Sequence, residues 1–164
     1  MTGIPYFHIG ILVPEMNSAI EKFSDILHLD FSPPTPIHFN LVEGPDGPYP
    51  YDSLFTYSRQ GPPYIELVEA RSFGIHANTS GFGVHHVGFW ETSIETQLET
   101  IEEKGLRAES RVVDPEGKTF VWYSNPDDLS GVRLEYIDEA RREGLLAFFE
   151  SGVMGDSLKA VHGA

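Results

Sequence analysis

No cysteine occurs among the 164 residues. Disulfides, zinc–thiolate centres, iron–sulfur clusters and a cysteine nucleophile are thereby excluded, and a cytoplasmic location is the expectation that fits. Positive charge is scarce as well: 11 lysines and arginines stand against 25 aspartates and glutamates, a formal net charge of −14. Such a surface repels phosphate backbones and anionic lipid, so neither nucleic acid nor a membrane is an expected partner. Long apolar runs are missing too. None approaches the roughly 18 residues that cross a bilayer. The opening MTGIPYF has neither the basic start nor the apolar stretch of a secretory signal.

What the chain has instead is one pattern written twice. FHIGILV near the start holds His8, followed two residues later by Gly10, and HHVGFWE holds His86 with Gly88 at the same interval. Each segment leads into a helix-like stretch and then into short strand-like runs that end on an acidic strand. The first closing strand is YIELVEA, with Glu66, and the second is VRLEYID, with Glu135. With 40% hydrophobic and 12% aromatic residues the chain can bury a core.

The elements follow from periodicity and breakers. Residues 6–13 read as a buried strand ended by Pro14, and a helix is predicted over Asn17–His28 with Ile20, Phe23 and Leu27 on one face. SPPTP (32–36) is a breaker, strands are predicted near 37–43 and 53–59 with a Gly/Pro-rich excursion over 43–52 between them, and residues 64–69 finish the first copy. Residues 71–83 form a connector. In the second copy a strand at 84–90 precedes a helix with Thr92 and Glu95 as its capping box, Ile94, Leu98 and Ile101 as its apolar face, and Gly105 as its stop. Strands follow near 108–113, 118–124 and 132–137, around a loop at 125–131. Residues 138–150 suit a third helix packing outside the repeat, and the last residues are expected to fray. The order is β-α-β-β-β twice, repeat one at about 4–70 and repeat two at about 84–137. A domain over 1–137 would thus carry a helix and tail over 138–164.

Side chains alternate across a strand, so residues of equal parity share a face. His8 and Gly10 share one, as do His86 and Gly88, and each glycine leaves room beside its histidine for a ligand or a neighbouring backbone. If the two copies face each other, His8, Glu66, His86 and Glu135 converge. Two imidazoles and two carboxylates suit one divalent ion such as Zn, Ni, Co, Mn or Fe. A lone strand histidine is more often structural than a ligand. Two at one repeat position, each matched by a glutamate that is costly to bury without a partner, favour the cation. His85 is expected to face the other way; His28, His38, His76 and His162 are read as surface or loop residues, and Glu43 and Asp52 as weak candidates for acid or base.

These segments resemble the vicinal oxygen chelate superfamily, which includes glyoxalase I, methylmalonyl-CoA epimerase, extradiol dioxygenases and bleomycin-resistance proteins. The resemblance covers roughly residues 6–137. It implies an α+β fold of two βαβββ modules forming an open, cupped mixed sheet, with His8, Glu66, His86 and Glu135 as metal ligands and a homodimer as the assembly. The His/Glu/His/Glu set is similar to that of bacterial glyoxalase I, which implies that Glu66 or Glu135 can also detach to shuttle a proton. NPDDLSGVRLEYID resembles the epimerase segment that carries a ligand glutamate. Phe55, however, stands near the point where the epimerases place a catalytic glutamate, and no Arg/Lys cluster able to hold coenzyme A or glutathione is evident.

The reading is a metal-dependent isomerase, epimerase or lyase acting on a carbon next to a carbonyl, through a metal-stabilised enolate. Its substrate is expected to be a small apolar or aromatic carbonyl compound, given Phe39, Phe55, Tyr57, Phe89, Trp90, Trp122 and Tyr123 on or beside the strands. Two alternatives stand beside it. One is an Fe(II) dioxygenase using His8, His86 and Glu135; the other is a metal-free binding protein that sequesters an apolar molecule.

Overall fold

The computed structural model describes residues 6–79 and 81–153. The expectations for the tail and for His162 lie outside the described residues. Chain order gives β1 (His8–Val13), α1 (Met16–Leu27), β2 (Thr35–Gly44), β3 (Gly47–Tyr57), β4 (Tyr64–Glu69), β5 (Gly83–Glu91), α2 (Ile94–Glu103), β6 (Ala108–Val113), β7 (Thr119–Ser124), β8 (Leu134–Asp138) and α3 (Arg142–Ser151). Short 3-10 turns at Pro126–Leu129 and Glu139–Arg141 flank β8.

Local chemistry sets the helix ends. Glu15 caps α1 by accepting the N–H groups of Asn17 and Ser18 at 2.9 and 2.7 Å, and His28 closes it in the left-handed region at φ 55°. In α2 the expected capping box does not form. Ser93, not Thr92, is the N-cap, because Glu91 accepts its backbone N–H at 3.0 Å and so starts the helix one residue later. Ile94, Leu98 and Ile101 nonetheless bury as a stripe against Trp122 and Tyr136 on the outer face of the sheet, and Gly105 ends the helix at φ 81°.

The Gly/Pro-rich excursion is a second departure. β2 and β3 stay paired out to Gly44 opposite Gly47, so the segment is the tip of a long hairpin rather than a loop. Tyr49, Tyr51 and Ser53 turn inward while Pro48, Pro50 and Asp52 point to solvent, which is a strand's period of two. The prolines cost little there, since β4 pairs only Phe55–Tyr57 and leaves that stretch of β3 unpaired on its other edge.

The largest difference is closure. The eight strands form a closed barrel in the order β1-β4-β3-β2-β6-β7-β8-β5, not an open cup. Each copy contributes one half, and two antiparallel seams join the halves within one chain. β1 pairs with β5 along its length, and Leu41–Glu43 of β2 pair with Arg111–Val113 of β6. Closure satisfies edge backbone groups that an open sheet would leave bare. Nor does α3 pack outside the repeat: Phe148 and Phe149 are fully buried. They join the interior cluster with Phe55 and Tyr57, the Phe149 ring stacking on Tyr57 at 4.0 Å.

Candidate metal centre

Strand register builds the centre from two rows of side chains that are copies of one another. Tyr57, Glu66, Gly10 and His86 stand side by side on β3, β4, β1 and β5. His8, Gly88, Glu135 and Tyr123 stand likewise on β1, β5, β8 and β7. The glycines make room for histidine rings of the opposite copy. A side-chain carbon at Gly10 would lie 2.5 Å from Nδ1 of His86, and one at Gly88 would lie 2.6 Å from Nε2 of His8. Neither position needs glycine's backbone freedom; the close approach alone requires it.

All four expected residues therefore meet, and all are buried. Within the rows, His86 Nε2 lies 2.9 Å from Glu66 Oε2 and His8 Nε2 lies 2.9 Å from Glu135 Oε2. Between the rows, the two Nε2 atoms are 2.9 Å apart and the His–Glu contacts are 3.4 and 3.5 Å. All four atoms fall within 4.8 Å of one another. An ion about 2.1 Å from each ligand sets neighbouring donors about 3.0–3.4 Å apart, so the set fits a divalent cation. The chemistry agrees: Oε2 of Glu66 and of Glu135 are buried and face the histidine nitrogens of the cluster.

Electrostatics knits the cluster. Burial acts to raise Glu135, but His86 and His8 outweigh it and hold the carboxyl down at about 2. Burial acts to lower His86, yet Glu135 and Glu66 prevail and its pKa is raised. A proton on His86 thus does part of what a cation would do.

The outer contacts fix which nitrogen faces inward. β5 carries a bulge at His85, where Gly10 pairs with His86 but Ile11 pairs with Val84. The bulge swings His85, expected to face away, onto its neighbour, so that its Nδ1 sits 3.0 Å from Nδ1 of His86. Its Nε2 lies 2.9 Å from the carbonyl oxygen of Ile75. A carbonyl only accepts, so His85 Nε2 carries the hydrogen. Burial keeps that ring neutral, with a pKa pushed down to about 2. Its Nδ1 is then an acceptor, His86 Nδ1 must donate to it, and Nε2 of His86 is left free for a ligand role. His8 has no such support: its Nδ1 is buried without a partner among the described residues.

Two further pairs were missed from sequence. Tyr123 donates a short hydrogen bond to Oε1 of Glu135, and Tyr57 occupies the matching place beside Glu66. Burial, then the charges of the two glutamates, pushes both phenols far up. The serine after each tyrosine is equally paired: Ser58 Oγ accepts the N–H of Ile65 and Ser124 Oγ that of Leu134, both at 2.9 Å. Each serine thus pins the residue just before a glutamate. The signal was the dipeptide Tyr-Ser closing the third strand of both copies.

Of the remaining histidines, His76 is not a surface residue. The connector folds back so that Ile75 and His76 are buried, with His76 Nδ1 3.5 Å from Ser53 Oγ and burial holding its pKa well down. His38 is exposed and pairs with Asp52 at 2.7 Å on the hairpin's outer side. A cavity of about 80 Å³ opens on the cluster, and Glu66, Glu135, Tyr57, Tyr123 and His76 line its polar end. Phe55 lines it too.

Residues 7–123 match the family described as the Glyoxalase/Bleomycin resistance protein/Dioxygenase superfamily. The chain belongs to it. The fold is also that of solved members. A hypothetical protein from Bacillus halodurans C-125 matches with a TM-score of 0.59 at 20% identity, over 82% of this chain and 93% of that one. Methylmalonyl-CoA epimerase from Mycobacterium tuberculosis matches with a TM-score of 0.61 at 18% identity, over 84% and 91%. A Streptomyces coelicolor methylmalonyl-CoA epimerase in complex with 2-nitronate-propionyl-CoA matches with a TM-score of 0.57 at 17% identity, over 81% and 95%. No curated protein matches the chain. At these identities the likeness carries the fold.

Proposed function

We propose that this superfamily member is a divalent-metal-dependent isomerase, epimerase or lyase acting on a carbon next to a carbonyl. One observation carries the reading. Four buried ligand atoms meet at the end of an apolar cavity, and Glu66 and Glu135 are the only carboxylates lining that cavity among the described residues. His8, Glu66, His86 and Glu135 would hold the ion. An ion there supplies Lewis-acid polarisation of a substrate carbonyl, which acidifies the neighbouring C–H.

The chain's own groups account for the rest. Where related epimerases place a catalytic glutamate this cavity presents Phe55, so the proton falls to Glu66 or Glu135. Tyr123 keeps one oxygen of Glu135 engaged and leaves Oε2 facing the cluster. A carboxylate anchored at one oxygen can swing the other between ligand and base. The apolar walls, Leu145 of α3 among them, exclude water, which strengthens each charge interaction inside.

The dioxygenase reading weighs less, because Glu66 Oε2 stands 2.9 Å from His86 and makes the set four rather than a triad. A metal-free binding protein is the remaining rival. Metal content of wild type and His86→Ala by plasma mass spectrometry, with NMR of α-proton exchange of small ketones and keto acids in D2O, tests the proposal. About one ion per chain, lost in the variant, with exchange that Glu135→Gln abolishes, is the expected result. No stoichiometric metal, or exchange unchanged in Glu135→Gln, overturns it.

A further inference from the structure

Away from the metal centre a single arginine faces the same cavity. Arg141 ends the turn after β8 and lines the cavity with Phe120 and Leu145. Its guanidinium carbon sits 4.0 Å over the centre of the Phe120 ring, which fixes the plane of the fork. Yet one arm of the fork is idle. Nε is buried without a hydrogen-bond partner among the described residues, and the carboxylate of Asp114 is 3.9 Å away, beyond hydrogen-bond reach. Arg133, at similar burial, uses its fork fully, giving Glu109 two hydrogen bonds at 2.5 and 2.9 Å. Burial pushes the Arg141 guanidinium below its ordinary range against the pull of Asp114, Asp138 and Glu116. A buried donor on a half-buried cation is costly to leave unmade, and an anion that takes it together with a neighbouring N–H of the fork offsets the cost.

We propose that Arg141 receives the carboxylate of the ligand, so that the substrate is a small carboxylic acid with an apolar middle. Only the other end of that ligand, the carbonyl at the metal centre, rests on the proposed function. Glu135 and Asp138 stand three rises apart on β8, about 10 Å at about 3.3 Å each. Phe120 adjoins Val121, which stands opposite Ile137 on β8. Carboxylate and carbonyl would thus be roughly 8–10 Å apart, a spacer of about seven or eight bonds at the reach of an extended chain. Ile37, Val112, Val121 and Ile137 wall the space between, and the cavity is about 80 Å³, so the spacer is aliphatic or one ring. One fork suits a carboxylate better than a phosphate, because among the described residues no second arginine or lysine lines the cavity.

The test is NMR titration with hexanoate, hexan-1-ol and hexyl phosphate, on protein treated with chelator and on protein loaded with zinc. Hexanoate is expected to bind both forms at least 10-fold tighter than hexan-1-ol and tighter than hexyl phosphate. Arg141→Gln is expected to weaken hexanoate roughly 10- to 100-fold while leaving hexan-1-ol unchanged. Phe120→Leu, which frees the fork but keeps its charge, should weaken it several-fold. Circular dichroism of each variant establishes that it folds, and the Phe120 variant serves if Arg141→Gln does not. Hexanol binding as tightly as hexanoate, hexyl phosphate binding tighter, or unchanged hexanoate affinity in the variants overturns the inference. Hexanoate binding that depends on Arg141 in protein that takes up no zinc would keep this inference and sink the metal reading.

Discussion

Gly88→Ala isolates the device on which the centre depends. In most strands the change is mildly stabilising, since it removes unfolded-chain entropy and β-propensity favours alanine over glycine. Here the added carbon would fall on the His8 ring, closer to Cε1 and Nδ1 than its 2.6 Å from Nε2, where ordinary contact begins at 3.4 Å. The ring, or β5 itself, must move by roughly 1.5 Å. A metal site tolerates ligand distances only within about 0.2 Å, so His8 would leave the ligand set. The expected outcome is at least a 100-fold loss of zinc or nickel affinity by calorimetry. Overpacking of a closely packed interior should also cost about 1–3 kcal/mol of stability in the metal-free protein. Gly10→Ala should do the same through His86. A Gly88→Ala protein that binds one ion per chain with wild-type affinity would refute the reasoning.

Further outcomes follow from the same contacts. His85→Ala should lower zinc affinity roughly 10- to 100-fold by releasing His86 from its tautomer, with His85→Asn recovering part of the loss; equal affinities in calorimetry would refute it. Tyr123→Phe should destabilise the chelator-treated protein by about 1.5–3 kcal/mol in urea, because Glu135 loses a hydrogen bond. Phe149→Ala should cost about 3–5 kcal/mol by the same assay, since the ring is fully buried on Tyr57. For the metal-free protein the pH window has two walls. His86 is raised in the fold, so its contribution is whole below its ordinary 6.5 and is lost as pH rises through the folded value. Glu135 is depressed, so its contribution is present above its ordinary 4.5 and is lost as pH falls toward 2. Urea midpoints should therefore peak between those ordinary values, whereas zinc affinity should climb as pH rises past 6.5, because the ion competes with the His86 proton.

The internal repeat made most of the centre legible in the sequence. His8 and His86 with a glycine two places on, and Glu66 and Glu135 in matching strands, need only strand parity to be brought together. Closure was not legible, because the Leu41–Glu43 seam with β6 is a short long-range pairing that no local pattern marks. The hairpin tip was misread because Gly47, Pro48 and Pro50 outweighed an inward row of Tyr49, Tyr51 and Ser53. His76 and His85 escaped for a different reason. One depends on a connector that folds back, the other on a bulge, and both are irregularities to which periodicity is blind. Arg141 drew no notice, because its stacking partner Phe120 stands about twenty positions earlier in the chain, on β7.

The bulge at His85 makes the two histidines of the cluster unequal. The two rows of side chains are copies, so by the repeat alone an ion held between them would meet two equivalent imidazoles and could release either one as readily as the other. β5 breaks that equivalence. One imidazole is braced through a neighbour to a backbone carbonyl, while its twin has a buried nitrogen with no partner among the described residues. A duplicated sheet supplies the cage, and a single extra residue in one strand gives it a braced side and an unbraced one.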